Sequence, residues 1–285
     1  MDLKWGIDLG GTKIECAVLE SGRTVARRRV PTEADGGYEH ILGQIERVLA
    51  EVAEEIGQKP LAVGVGTPGS ADPRTGLMRN ANTTALIGKP LPADLQQRLG
   101  IAVRVANDAN CFALAEATLG AAKGYRTVFG VIMGTGVGGG LVVDGKVLDG
   151  ASGIAGEWGH NVLEPGGLPC YCGKRGCVET VLSGPFLERW NERRTGEKRS
   201  LKELAQEDGP TIDHLVGSFG RALSVVDNTF DPDAIVLGGG VSNVDRLYSD
   251  GAKALRASVF HDDYHLVVLR PLLGDSAGVF GAAML

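Results

Sequence analysis

A chain of 285 residues has room for one large or two ordinary domains. Its 43 glycines lack a collagen period and sit among 43% hydrophobic residues, which excludes a fibre or a disordered tail and points to turns and close backbone approaches. A net charge of −6 excludes the broad basic face of a duplex-coating protein, so no nucleic-acid partner is expected and any phosphate site must be local.

The segment from Met1 to Trp5 leads into too short an apolar run for a signal peptide, and no stretch reaches the ~18 apolar residues of a membrane span. The expectation is a cytoplasmic protein with no membrane partner. Apolar alternation then predicts strands at Leu3 to Asp8, Ile14 to Glu20 and Thr24 to Val30, turning at Gly10-Gly11 and Ser21-Gly22. A helix from Tyr38 to Ile56 carries Ile41, Ile45, Val48, Leu49, Val52 and Ile56 as one stripe. Strands follow at Leu61 to Val65 and Val103 to Ala106, and a helix at Ala109 to Leu119.

A second meander starts at Thr127 to Met133, turns through Gly134-Thr135-Gly136, continues over Gly140 to Val143 and turns again before Lys146 to Leu148. Thr12 and Gly22 are ten residues apart, as are Thr135 and Gly145, which reads as an internal structural repeat. Beyond it lie a helix-rich stretch from Ser183 to Phe230, a strand at Ala234 to Leu237, a helix over Asp245 to Val259, a strand at Leu266 to Leu269 and a short terminal helix.

Asp8-Leu9-Gly10-Gly11-Thr12-Lys13 sets an acid at a strand end before a glycine turn, a hydroxyl and an amine. Such a turn either closes an ordinary hairpin or brings backbone N–H groups to phosphate, with the acid reaching Mg²⁺ through water. Gly134-Thr135-Gly136 repeats it, and two such turns facing each other would bracket a triphosphate. Gly134, Gly136 and Gly139 satisfy a dinucleotide spacing but run into a strand, and Gly64, Gly66 and Gly69 enclose Pro68, so neither opens the helix that fingerprint requires. Gly238-Gly239-Gly240 after an apolar strand is either a seat for a nucleotide base or ribose or a plain strand-to-helix turn.

His160, Cys170, Cys172 and Cys177 fall within eighteen positions, and one imidazole with three thiolates is a closed tetrahedral zinc set. With all four positions filled the metal cannot activate water, so its expected work is to fold the loop, a contribution on the order of 10 kcal/mol. Folding that loop would place Glu157 and Glu179. Asn107-Asp108 ends an apolar strand at a helix start, where Asp108 reads either as an N-cap or as a general base for in-line attack on a γ-phosphate.

Together these motifs resemble the ROK family (repressor, open reading frame, kinase) over nearly the whole chain; Glu-x-Gly-His at 157–160 with Cys-x-Cys-Gly-x-x-Gly-Cys-x-Glu at 170–179 is the most specific part. The resemblance implies an α/β, actin-like (ribonuclease H-like) ATPase fold of two lobes around a cleft. Residues 1–118 with the terminal helix at 275–285 would form the small lobe, and 119–274 the larger one carrying the zinc loop. It implies Asp108 as catalytic base. Asn82, Asn107, Asp108, Glu157, His160 and Glu179 would hold a hexose, with His160 giving one ring nitrogen to zinc and the other to sugar. Asp8, Gly10, Gly11, Thr12, Lys13, Gly134, Thr135, Gly136, Gly238, Gly239 and Gly240 would bind ATP and Mg²⁺. Residues 156–161, 169–180 and 238–248 look most like fructokinases and mannokinases, so fructose is the first expectation. Glucokinase, N-acetylglucosamine kinase, N-acetylmannosamine kinase and a non-catalytic sugar sensor are the alternatives. The family likeness also suggests a homodimer. Trp158, beside Glu157, departs from the simplest form of the family pattern.

Overall fold

A computed structural model describes residues 3–261 and 265–285. Its backbone is organised by two five-stranded sheets. The first contains β1 (Leu3–Leu9), β2 (Lys13–Glu20), β3 (Arg23–Pro31), β4 (Ala62–Thr67) and, after the small hairpin β5 (Ser70–Ala71) and β6 (Met78–Arg79), β7 (Ala102–Asn107). The second contains β8 (Thr127–Met133), β9 (Val137–Val143), β10 (Lys146–Val147), β11 (Ala234–Gly238) and β12 (Val267–Leu269). Their orders are β3-β2-β1-β4-β7 and β10-β9-β8-β11-β12, the same pattern twice: an antiparallel meander, then two parallel strands. The repeat read from the two Gly-Thr turns is therefore real in the topology.

Helices cover both sheets. α1 (Gly37–Ile56) lays Ile41, Ile45, Val48, Leu49 and Val52 on the first sheet, as its 3.6-residue period requires. α2 (Leu91–Leu99), α4 (Glu179–Leu182), α5 (Gly184–Thr195), α6 (Leu201–Leu204), α7 (Pro210–Phe230) and α8 (Asp250–Arg256) follow, with α7 supplying Leu215, Phe219 and Leu223 to the core of the second sheet. α2 and the β5–β6 hairpin escape the sequence reading, because nine residues opening on Leu91-Pro92 and two-residue strands carry too few periods to register.

α3 (Asp108–Thr118) and α9 (Ala277–Ala283) lie between the sheets and against each other, and nine of the eleven residues of α3 are buried. Two glycines admit it. A side chain at Gly140 on β9 would strike the backbone of Ala109 and Asn110, and one at Gly281 on α9 would strike the carbonyl of Cys111. This need for space also corrects one strand boundary. β9 begins at Val137, not Gly140, because Gly138, Gly139 and Gly140 continue the ladder opposite Ile132, Val131 and Gly130.

A second difference concerns Asp245 to Val259. Following a 3₁₀ turn at Gly240–Asn243, the segment opens with a second 3₁₀ turn, Asp245–Leu247, and only then forms α8, which ends at Arg256. The Tyr248 hydroxyl donates to the Ser242 carbonyl at 2.8 Å, folding the stretch back on itself and postponing the helix to Asp250.

Gly281→Ala is expected to cost about 1–3 kcal/mol, the usual range for overpacking, measured by urea unfolding. A variant as stable as the parent would show that α9 can move away from α3 freely.

Candidate functional site

The first glycine turn is locked by Gly10 N–H donating to the Lys13 carbonyl at 3.0 Å and by the Thr32 hydroxyl donating to the Gly10 carbonyl at 2.7 Å. In the second, Gly134 N–H donates to the Gly136 carbonyl at 2.9 Å, while the Gly134 carbonyl accepts from Gly184 N–H at 2.9 Å. Gly10 and Gly11 line a cavity of about 850 Å³ together with Asp8 and Gly238, Gly239 and Gly240. That space is within the range of small-molecule and cofactor sites. Thr12 and Lys13 are exposed and do not line it.

Gly134, Thr135 and Gly136 instead line an adjoining cavity of about 270 Å³, with Asn107, Glu157, His160 and Glu179. The second turn thus faces the side where the carboxylates gather. Asn82 and Asp108 belong to the walls of both cavities.

The start of α3 explains how Asp108 is aimed. Asn107, not Asp108, is the N-cap: its side-chain oxygen accepts from Ala109 N–H at 2.9 Å, and its amide donates to the Gly69 carbonyl at 3.3 Å. Asp108 is the first helical residue and accepts the same N–H at 2.8 Å. Its side chain is open to the cavity, yet the walls displace bulk water, and that desolvation raises its pKa against the hydrogen bonds that lower it.

Asp8 sits across the larger cavity. Desolvation first, then the charges of Asp108 and Glu15, push its carboxyl up to about 6, with Lys13 and Arg29 opposing. Glu15 is buried and held by Arg27 and by Arg29 at 2.7 Å. Glu157 is also raised, by desolvation first, with Asp108 and Glu179 adding and His160 opposing.

The ligand atoms of His160, Cys170, Cys172 and Cys177 all lie within 4.8 Å of one another. His160 Nδ1 is 3.6 Å from Cys170 Sγ, and Cys172 Sγ is 3.6 Å from Cys177 Sγ. Tetrahedral zinc with bonds of about 2.3 Å to sulfur and 2.0 Å to nitrogen needs S···S near ~3.8 Å and S···N near ~3.5 Å, so the donor set fits the ion. His160 Nε2 points away from the thiols and shares a 3.0 Å hydrogen bond with the Tyr171 hydroxyl. Glu179 opens α4, accepts Val137 N–H at 3.1 Å and approaches Cys170 Sγ at 3.9 Å, so the loop that holds the thiols also fixes this carboxylate.

Tyr171 lines the smaller cavity and is missing from the sequence reading, although its place between two of the cysteines was a usable signal. Asp275 and Gly278, from the segment before and within α9, line the larger one and likewise went unread. Trp158 does not enter the smaller cavity. It is buried, donates to the Gly138 carbonyl at 2.9 Å and meets Phe129 edge-on, anchoring the turn that presents Glu157 and His160.

The sequence model of the ROK family matches residues 4–285. N-acetyl-D-glucosamine kinase of Pasteurella multocida is 39% identical over 306 residues, covering 99% of this chain and 99% of that protein. The enzyme of the same name from Vibrio cholerae is 38% identical over 300 residues, covering 99% and 98%. Among solved structures, a ROK hexokinase from Thermus thermophilus superposes with a TM-score of 0.90 at 33% identity, covering 99% of this chain and 97% of that one. A ROK family glucokinase from Streptomyces griseus, in complex with glucose and AMPPNP, gives 0.79 at 32% identity, covering 99% and 98%.

Carboxyl ¹³C titration should place the Asp8 midpoint near 6 in the free protein. Replacing Asp108 by Asn removes a like charge and should lower that midpoint; one that stays put would show that the two groups do not share a field. Metal analysis should find one zinc per chain, and Cys172→Ser should lose it together with the ordering of Glu179. Full zinc retention in that variant would remove Cys172 from the ligand set.

Proposed function

The chain belongs to the ROK family, and we propose that it is an ATP-dependent kinase that transfers the γ-phosphoryl group to a hydroxyl of N-acetylglucosamine. The observation that carries this reading is the position of Asp108, shared by the walls of the glycine-lined cavity and of the carboxylate-lined one. A base for phosphoryl transfer must touch the acceptor hydroxyl while facing the phosphate, and Asp108 has both neighbours. Its raised pKa brings it nearer the working range of a base at neutral pH than an ordinary aspartate.

In this reading Gly10 holds the turn closed through its bond to Lys13 so that the Gly11 amide receives a phosphate oxygen, and Gly238, Gly239 and Gly240 leave room for the nucleoside. Thr12 and Lys13 act from the outer edge of the turn, and Gly134, Thr135 and Gly136 close the acceptor side. ATP with Mg²⁺ supplies the phosphoryl group and neutralises its charge. Asp8 fits a cation anchor, because desolvation and two neighbouring carboxylates disfavour its charged form unless a positive charge joins them. Asn82, Asn107, Glu157, His160 and Glu179 offer a polyol both acceptors and donors, and Val137 N–H steadies the Glu179 carboxylate. Zinc at His160, Cys170, Cys172 and Cys177 keeps that wall in place.

Choice of sugar rests on the relatives. The proteins 38–39% identical over their full length are named for N-acetylglucosamine. Asn80 in the acceptor cavity adds an amide of the kind that pairs with an acetamido group. The solved hexokinase and glucokinase make glucose the second reading. Fructose, the first expectation from residues 156–161, 169–180 and 238–248, is the name of none of these relatives.

The proposed lobes are 1–118 with 275–285, and 119–274; the two sheets and the packing of α9 on β1 and β4 support that division. A homodimer goes with this reading, supported by exposed Ile154 and Phe230 around one surface depression. Cytoplasmic action is consistent with five free cysteines. No helix among the described residues is long and apolar enough to cross a membrane.

ADP release with Mg-ATP should be strongest on N-acetylglucosamine in a panel that also holds glucose, fructose, mannose and N-acetylmannosamine. Asp108→Asn should lower turnover by at least about a hundredfold while the fold is retained. Preference for another sugar overturns the acceptor assignment, and silence on the whole panel with ATP bound favours a sugar sensor.

A further inference from the structure

Glu116 is fully buried and has no part in the chemistry above. It lies on α3 eight residues beyond Asp108, about 12 Å along the helix axis. Its Oε2 accepts Ala121 N–H at 2.8 Å and Leu272 N–H at 3.1 Å, and its Oε1 accepts Leu272 and Leu273 N–H, each at 3.0 Å. Burying a carboxylate is costly unless such donors surround it.

The location of those donors gives the carboxylate its meaning. Ala121 belongs to the connection 119–126, which carries the chain from α3 to the second sheet at β8. Leu272 and Leu273 belong to the connection 270–276, which returns it from β12 to α9 on the first sheet. One side chain therefore binds both covalent passages between the sheets. Just past it, Gly274, Asp275 and Gly278 line the larger cavity, and Gly278 abuts the Asp8 carboxylate. At the other end of the same helix stands Asp108.

We infer that Glu116 is a positioning residue that pins the two interlobe connections together and serves as the pivot on which the cleft closes. The carboxylate is required chemically: it is acceptor-only, whereas the NH₂ of a glutamine would face a backbone N–H and repel it. Gly120 next to it has no room for a side chain, since a Cβ there would strike the Glu116 carboxyl. The inference rests on the kinase reading only for what closure accomplishes; the pin itself is a property of the free protein.

Hydrogen exchange and kinetics test the two parts separately. In the free wild-type protein the amides of Ala121, Leu272 and Leu273 should exchange at a common slow rate, set by one opening event, and should slow together when AMP-PNP, Mg²⁺ and the preferred sugar of the panel are added. Unrelated rates for Ala121 and the two leucines overturn the pin even if the protein proves to have no kinase activity. Glu116→Gln should raise the KM for ATP at least fivefold and lower kcat about tenfold, measured well below its Tm, with zinc content and the Kd for sugar alone within twofold of wild type. A purely structural role would lower Tm and leave kcat and both KM values unchanged, which overturns the inference. If Glu116→Gln does not accumulate as folded protein, Glu116→Asp, which keeps the charge but shortens the reach, is measured for the same split and overturns the inference on the same result.

Discussion

The tight packing of α3 between two sheets is the constraint on which the rest of the molecule depends. Gly130 meets Ala113, Gly140 meets Ala109 and Asn110, and Gly281 meets Cys111, each so closely that a side chain at the glycine would clash with the helix. Interiors packed to crystal-like density transmit displacement instead of absorbing it. A helix held in this way fixes whatever stands at its two ends. Here those are Asp108, open to both cavities, and Glu116, which grips the two connections between sheets.

Around that helix the site is assembled by separating like charges. Asp8, Asp108 and Glu157 are all raised in pKa, chiefly by desolvation, and each feels at least one other carboxylate or is felt by one. Such a cluster is poorly stabilised without cations and hydroxyls to join it. A magnesium-bound triphosphate and a polyol are the two ligand types that would relieve it from the two sides. The glycine turns, each closed by its own backbone hydrogen bond, border the two cavities on either side of Asp108.

The zinc loop solves a different problem. Residues 160–178 contain little regular structure, and a wall built from a loop holds its side chains less precisely than one built from helix or strand. Three cysteine sulfurs and an imidazole lie within bonding reach of a single ion, and an ion bound there would give that loop a fixed shape. Because His160 presents Nδ1 to the thiols and Nε2 to Tyr171, and because Glu179 touches both Cys170 and Val137, an ion held by this set would be tied directly to the wall of the smaller cavity.

By itself the sequence determined the elements with long, unambiguous periods and the ligands with tight spacing. The stripe of α1, both meanders, the Asn107-Asp108 strand end and the His160 to Cys177 set are all local patterns, and local patterns are what a linear reading sees. Tertiary structure alone decided which cavity each turn serves: Gly10 and Gly134 are alike in sequence but line different spaces, because Gly10 faces Gly238, Gly239 and Gly240 from the second sheet's side whereas Gly134 faces Asn80, Asn82 and Asn107 from the first sheet's. It made Asn107 the cap and left Asp108 free to face the cleft, delayed α8 through the Tyr248–Ser242 bond, and brought Tyr171 to His160. Glu116 is the extreme case. Within α3 it reads as one more helix-forming residue, and its partners at 272 and 273 lie more than 150 positions away. No periodicity encodes a hydrogen bond across that distance, so only the return of the chain through α9 to the first sheet could reveal it.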